Sequence, residues 1–133
     1  AMAGRTPNDR YMMRLSETYL LRAEAYFHKG DLANAANDIN VVRERAQAKP
    51  VQPAQVNLDY ILDERMRELV VEEPRRKTLV RLNKLYERTM KYNFRVQNNM
   101  EPYHELWPIP QTAIDANTGA KLLQNPGYPG AAE

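Results

Sequence analysis

The sequence predicts an all-α fold: two antiparallel helical hairpins, the first tetratricopeptide-like, followed by an extended proline-rich C-terminal segment with room for one short helix. Three observations predict it. Apolar side chains recur at three- and four-residue spacing through most of residues 11–91, the period of amphipathic helices. Capping and breaking residues, Gly30-Asp31, Asn57 and Pro74, fall between the periodic stretches. After Asn93 the period fails and prolines gather. A chain of 133 residues, 43% of them hydrophobic, is long enough for one buried core. Residues 11–128 are therefore read as a single helical domain, 1–10 as a flank or a remnant of excision, and 129–133 as a flexible tail.

The first helix is expected from Tyr11 to Lys29, with Met12, Leu15, Tyr19, Leu20, Ala23, Tyr26 and Phe27 along its apolar face. Gly30 ends it, and Asp31 is suited to cap a second helix with Leu32, Ala35, Ala36, Ile39, Val42 and Ala46 inward. Small residues where the two would touch, Ala23 and Ala35, with Tyr26 before the turn, give this pair its tetratricopeptide-like pattern, and such a pair normally needs stacked neighbours. A third helix should run from Leu58 to Val71 behind an Asn57 cap, on Leu58, Ile61, Leu62, Met66, Leu69 and Val70. Pro74 stops or redirects it, because proline lacks an N–H and restricts the residue before it. The fourth is expected from Arg75 to Lys91 on Leu79, Leu82, Leu85 and Tyr86. Residues 101–110 read as extended, and a short helix can start after Pro110 with Ala113 and Ile114.

Composition removes several classes of function. Cysteine is absent, which excludes disulfide scaffolds, thiol catalysis and Cys-ligated zinc. No apolar stretch approaches the roughly 20 residues of a membrane-spanning helix. The opening Ala-Met-Ala-Gly has no basic region followed by an apolar core, so no intact signal peptide is encoded, and the chain reads as an excised or processed fragment. Charge is uneven: residues 75–95 hold 8 Lys+Arg against 1 Asp+Glu, a net of +7 inside a chain of net +2.

Each candidate for chemistry has a structural counterpart. Glu17, Glu24, Glu64 and Glu68 offer carboxylates, but no Glu-x-x-His accompanies them, so salt bridges to Arg22, Arg65, Arg67 or the fourth helix are expected. His28 ends a helix and His104 lies in the tail, in unrelated contexts that suggest no metal site, and no cofactor is expected. Ser16 sits within a periodic helix with no His and acid partners in view. Arg81, Lys84, Arg88, Lys91 and Arg95 could line one positive stripe of a helix for phosphates or an anionic sugar polymer, or pair with Glu64, Glu68, Glu72 and Glu73. Tyr103 and Trp107 are the weak ligand-binding candidates, since aromatic faces stack on sugar rings; the alternative is that Trp107 anchors the extended tail by burial.

The stretch Met13-Arg14-Leu15-Ser16-Glu17-Thr18-Tyr19-Leu20-Leu21-Arg22-Ala23-Glu24-Ala25-Tyr26, then Gly30 and Ala35-Ala36, resembles the C-terminal part of the SusD/RagB family, surface glycan-binding lipoproteins of Bacteroidetes. Asn40-Val41-Val42-Arg43-Glu44-Arg45-Ala46 continues the likeness, as does Ile61-Leu62-Asp63-Glu64-Arg65-Met66-Arg67-Glu68-Leu69 with its Glu-Arg-x-x-Glu-Leu core. Leu106-Trp107-Pro108-Ile109-Pro110 and Gln124-Asn125-Pro126-Gly127-Tyr128 are similar to the family's closing motifs, so the resemblance runs over about residues 9–128. Where the family pattern has a glycine and then Arg-x-x-Asp-Leu-x-Arg, this chain has Pro74, then Arg75, Arg76, Thr78 and Arg81.

The resemblance implies a non-catalytic helical protein, held by a lipid anchor at the surface of the outer membrane. It would capture polysaccharide or oligosaccharide and deliver it to a SusC-like TonB-dependent transporter. This chain would be scaffold in such a receptor, with neither its lipidated cysteine nor most of its glycan surface. Two other readings stay open on the residues alone: a helical-repeat protein-interaction module, and, on the charge of residues 75–95, a nucleic-acid-binding helical domain.

Overall fold

A computed structural model describes residues 12–97 and 99–131. The described residues are helical, with no strand beyond an isolated bridge between Gln124 and Ala131. The elements are α1 (Leu15–His28), α2 (Leu32–Arg45), a 3-10 turn (Pro53–Gln55), α3 (Leu58–Glu68), α4 (Arg75–Arg81), α5 (Leu85–Tyr92), a second 3-10 turn (Pro102–Glu105) and α6 (Gln111–Ala116). They fall into two compact units, residues 1–73 and 74–133. The all-α class is as expected; Tyr11, the expected first residue of α1, lies outside the described residues.

In the first unit α1 and α2 form a hairpin on which α3 packs. The turn between them is a Schellman closure: Asp31 N–H donates to Tyr26 O and Gly30 N–H to Phe27 O, both at 2.9 Å, with Gly30 at φ +78°. That backbone is open to glycine and strained for other residues. Asp31 then caps α2, its Oδ1 accepting from Asn34 N at 3.1 Å, and Asn57 Oδ1 caps α3 from Tyr60 N at 2.8 Å. The likeness of the α1–α2 pair to a tetratricopeptide unit rests on sequence pattern alone.

Leu20, Ala23, Ala35, Ala36, Ile39, Val42, Ile61 and Leu69 form the core of this unit, with Tyr19, Tyr26, Phe27, Leu32 and Tyr60 packed around it. Val51 and Val56, in the loop between α2 and α3, are buried in the same cluster. A side-chain amide holds that loop: Asn40 donates to Val51 O at 3.0 Å and accepts from Val51 N at 2.7 Å. Met12, Leu15, Met66 and Val70, expected inward, are exposed, as is Ala46 at the end of α2. α3 also stops three residues early, at Glu68; Val71 lies beyond it at φ +70°.

The second unit departs most from expectation. The single helix expected over residues 75–91 is two helices, α4 and α5, packed on each other. Asn83 breaks it at φ +53°, in a second Schellman closure in which Lys84 N–H donates to Leu79 O at 2.8 Å and Asn83 N–H to Val80 O at 3.0 Å. Asparagine tolerates this left-handed geometry better than most residues with a side chain. Beyond α5 the chain makes turns, the Pro102–Glu105 3-10 turn, an extended Leu106–Pro110 stretch and α6.

Candidate functional site

In the first unit the polar motif residues form a lattice of ion pairs that ties the three helices. Arg22 on α1 grips Asp38 on α2 through two bonds of 2.7 Å, which hold the guanidinium above its ordinary pKa. Glu64 on α3 accepts from Arg43 at 2.6 Å and from Arg67 at 2.6 Å. Glu68 takes Arg45 at 2.7 Å and Arg14 at 3.0 Å, and Arg14 reaches Glu72 at 2.6 Å, which raises the Arg14 pKa. Tyr60 lies within cation–π range of both Arg43 and Arg67, at 5.8 and 5.7 Å, and Tyr19 has Arg22 over its ring at 5.4 Å.

Arg65 is the most enclosed member. Its side chain is 2% exposed and pairs with Glu73, also 2% exposed, at 2.6 Å, with Glu17 at 3.6 Å. Glu64 and Glu68 thus bridge arginines, and among the described residues no group of three or more His, Asp or Glu side chains is placed to hold a metal ion. Glu24 is buried. Of the expected pairings, those of Glu64 with Arg67 and Glu17 with Arg65 form; Arg22 instead takes Asp38.

In the second unit the two closing motifs meet. Gln124 accepts from Ile109 N at 2.7 Å and donates to Ile109 O at 2.8 Å, Asn125 donates to Trp107 O at 2.7 Å, and the Tyr128 hydroxyl donates to Leu106 O at 2.8 Å. The stretch between Pro108 and Pro110 has few neighbours of its own to bond, and these side chains supply them. Gly127 sits at φ +87° against the Tyr103 ring; a Cβ there would fall 2.3 Å from Tyr103 Cγ. Tyr103 meets Tyr128 edge-on with centroids 5.0 Å apart, so Pro126 and Gly127 turn the chain where only a hydrogen fits.

Beside this clasp, α4 and Trp107 frame a mostly apolar groove of about 710 Å³ whose lining includes Pro74, Val80 and Trp107 together with Arg75, Arg76, Lys77, Arg81 and Glu105. Trp107 is 71% exposed, with the Arg76 guanidinium 4.4 Å from its ring centroid. Arg76 Nη2 donates to His104 O at 2.8 Å, while its Nε is buried with no hydrogen-bond partner in the structure. Glu105 Oε1 accepts from Tyr86 N at 3.1 Å and so caps the start of α5, which has no cap in its own local sequence.

Two expectations are corrected here. Trp107 does not anchor the tail by burial: Gln124, Asn125 and Tyr128 hold the backbone, leaving the indole open. The positive stripe does not lie on one helix. Arg81 ends α4, Lys84 precedes α5, Arg88 is buried over Tyr92 at 4.9 Å, and Arg95 lies past the end of α5. His104 Nδ1 accepts from Glu101 N at 2.8 Å as a turn cap, and His28 stacks edge-on with Phe27 at the end of α1. Sequence reasoning gave no role to Asp38 or Glu105 and placed Arg14 and Gln124 in motifs without their partners; Gln124 and Glu105 act over 15 and 19 residues, without a local signal.

The family model described as the SusD family matches residues 1–128. The chain is 34% identical over 122 residues to the starch-binding protein SusD of Bacteroides thetaiotaomicron, an alignment covering 88% of this chain and 21% of that protein. It is 36% identical over 119 residues to the SusD-like protein P25 of Formosa agariphila, covering 83% of this chain and 23% of that protein. The chain thus spans about a fifth of the length of these curated relatives. No solved structure gives a significant match. The chain belongs to the SusD family.

Proposed function

We propose that this SusD-family chain is the scaffold portion of a non-catalytic glycan-binding lipoprotein at the outer-membrane surface, one that passes oligosaccharides to a SusC-like TonB-dependent transporter. The observation that carries the reading is the 34% identity, over 88% of the chain, to a protein named for binding starch. The arrangement of charge agrees with it. Glu64 and Glu68 are each held between two arginines, an arrangement that braces the helices against one another. In this reading Arg22, Arg43, Arg45, Glu64, Arg65, Glu68 and Leu69 hold the helices together, and the Asn125–Tyr128 clasp fixes the Leu106–Pro110 arm.

The test uses the full-length protein against a panel of soluble oligosaccharides, by calorimetry and by assay of new reducing ends. Binding without release of reducing ends is expected, together with co-purification of a TonB-dependent transporter from native membranes. No binding across the panel, or glycosidic cleavage, overturns the reading.

A further inference from the structure

We infer that a concave apolar strip along α1, at the open end of the α1–α2 hairpin, seats an amphipathic helix from the part of the full-length chain outside these 133 residues. Two adjoining depressions make the strip. One, of about 420 Å³, is lined by Met13, Leu15 and Tyr19 from the start of α1 and by Val41 and Val42 from the end of α2. The other, of about 120 Å³, is lined by Leu15, Thr18, Tyr19 and Arg22, so the two share Leu15 and Tyr19. Together they follow α1 from Leu15 to Arg22, about two helical turns. An elongated strip of this kind suits a rod laid along it, as when the apolar face of one helix enters a groove on another surface.

The lining selects an apolar occupant. Its charged residues are Arg14, Arg22 and Arg45, and each is engaged within this unit: Arg14 by Glu68 and Glu72, Arg22 by Asp38, and Arg45 by Glu68. The Ser16 hydroxyl is enclosed and reaches no ligand. What faces outward is hydrocarbon: Met13 is 63% exposed, Leu15 69% and Val41 43%, beside a half-buried Tyr19. Leu15, Tyr19 and Ala23 form one row at four-residue spacing, and that row passes from open at Leu15 to fully buried at Ala23. The first turn of α1 therefore carries the apolar period of a buried helix without its cover. In helical arrays that cover comes from the next helices of the same chain. This chain spans about a fifth of the length of its relatives, so about four fifths of a full-length member lies elsewhere. A helix joined covalently meets the strip at an effective concentration in about the millimolar range, which favours it over a second copy or a separate protein.

The experiment uses the full-length protein carrying Leu15→Cys or Val41→Cys, reacted with a maleimide and read at the substituted site by mass spectrometry. Each thiol should react at least about tenfold more slowly in the native protein than in urea, and the protection should survive about tenfold dilution of the protein. In separate variants, Leu15→p-benzoylphenylalanine and Val41→p-benzoylphenylalanine, illumination should join the substituted residue to a peptide of the same chain outside residues 1–133. Full native reactivity of both thiols overturns the inference, because the strip is then open. Protection that fades on dilution, or a crosslink between two copies, overturns it in favour of self-association. A crosslink confined to residues 1–133, one to a different protein, or none from either position overturns it as well. Glycan binding by the same protein, present or absent, bears on the proposed function and leaves these outcomes untouched.

Discussion

At the scale of single residues, three positions carry more than their size suggests. The side chains of Arg65 and Glu73 are both 2% exposed, and removing Arg65 takes a close charged partner from a buried carboxylate. Arg65→Ala should lower unfolding free energy by about 3–5 kcal/mol in urea titration, and adding Glu73→Gln should recover part of that loss. Gly127 is fixed by both its φ of +87° and its contact with Tyr103. Gly127→Ala should cost about 1–3 kcal/mol and weaken the near-ultraviolet circular dichroism of Tyr103 and Tyr128, whereas native-like values would show that the turn can move aside. Val71 is the opposite case: a β-branched residue at φ +70° that is 98% exposed loses backbone freedom without gaining contacts. Val71→Gly should raise the urea midpoint, a stabilisation of about 1 kcal/mol.

At the scale of elements, capping explains both what the sequence displays and what it hides. Hydrogen bonds from the Asn34 side chain, then from its backbone N–H, hold the Asp31 carboxyl below its usual value of 3.8. A depressed folded value means that the unfolded chain binds the proton more readily, so the capping contribution is complete above about pH 5 and fades as pH falls through the folded value. The urea midpoint should therefore decline on acidification through that range, and Asp31→Asn should make the decline shallower. An equally steep decline in the variant would assign the acid sensitivity elsewhere. The Gly30-Asp31 break and the Asn57 cap are legible in sequence because their residue types match their geometry locally. The break at Asn83 is not, since Leu79, Leu82, Leu85 and Tyr86 keep a helical period across it. The α1–α3 lattice is legible as a supply of arginines and glutamates, but its pairings depend on which faces meet. Trp107 was misleading for a related reason: an indole between prolines suggests burial, while the groups that hold its backbone lie 15–22 residues away.

At the scale of the whole molecule, stability is unevenly shared. The main hydrophobic cluster lies in residues 1–73, whereas the buried hydrophobics described in residues 74–133 are Leu79 and Leu85. Local opening is easier where apolar burial is sparse, so hydrogen exchange should be slowest at the amides of α1, α2 and α3 and fastest from α6 through residue 123. Uniform protection across the chain would contradict this ranking. The clasp in the second unit also bears on synthesis. During translation Leu106 and Trp107 are incorporated before Tyr128 and Asn125, their partners 22 and 18 positions later, have been added. A premature stop codon between them would leave that arm permanently without its fastening, and the truncated product would be a natural target for quality-control proteases.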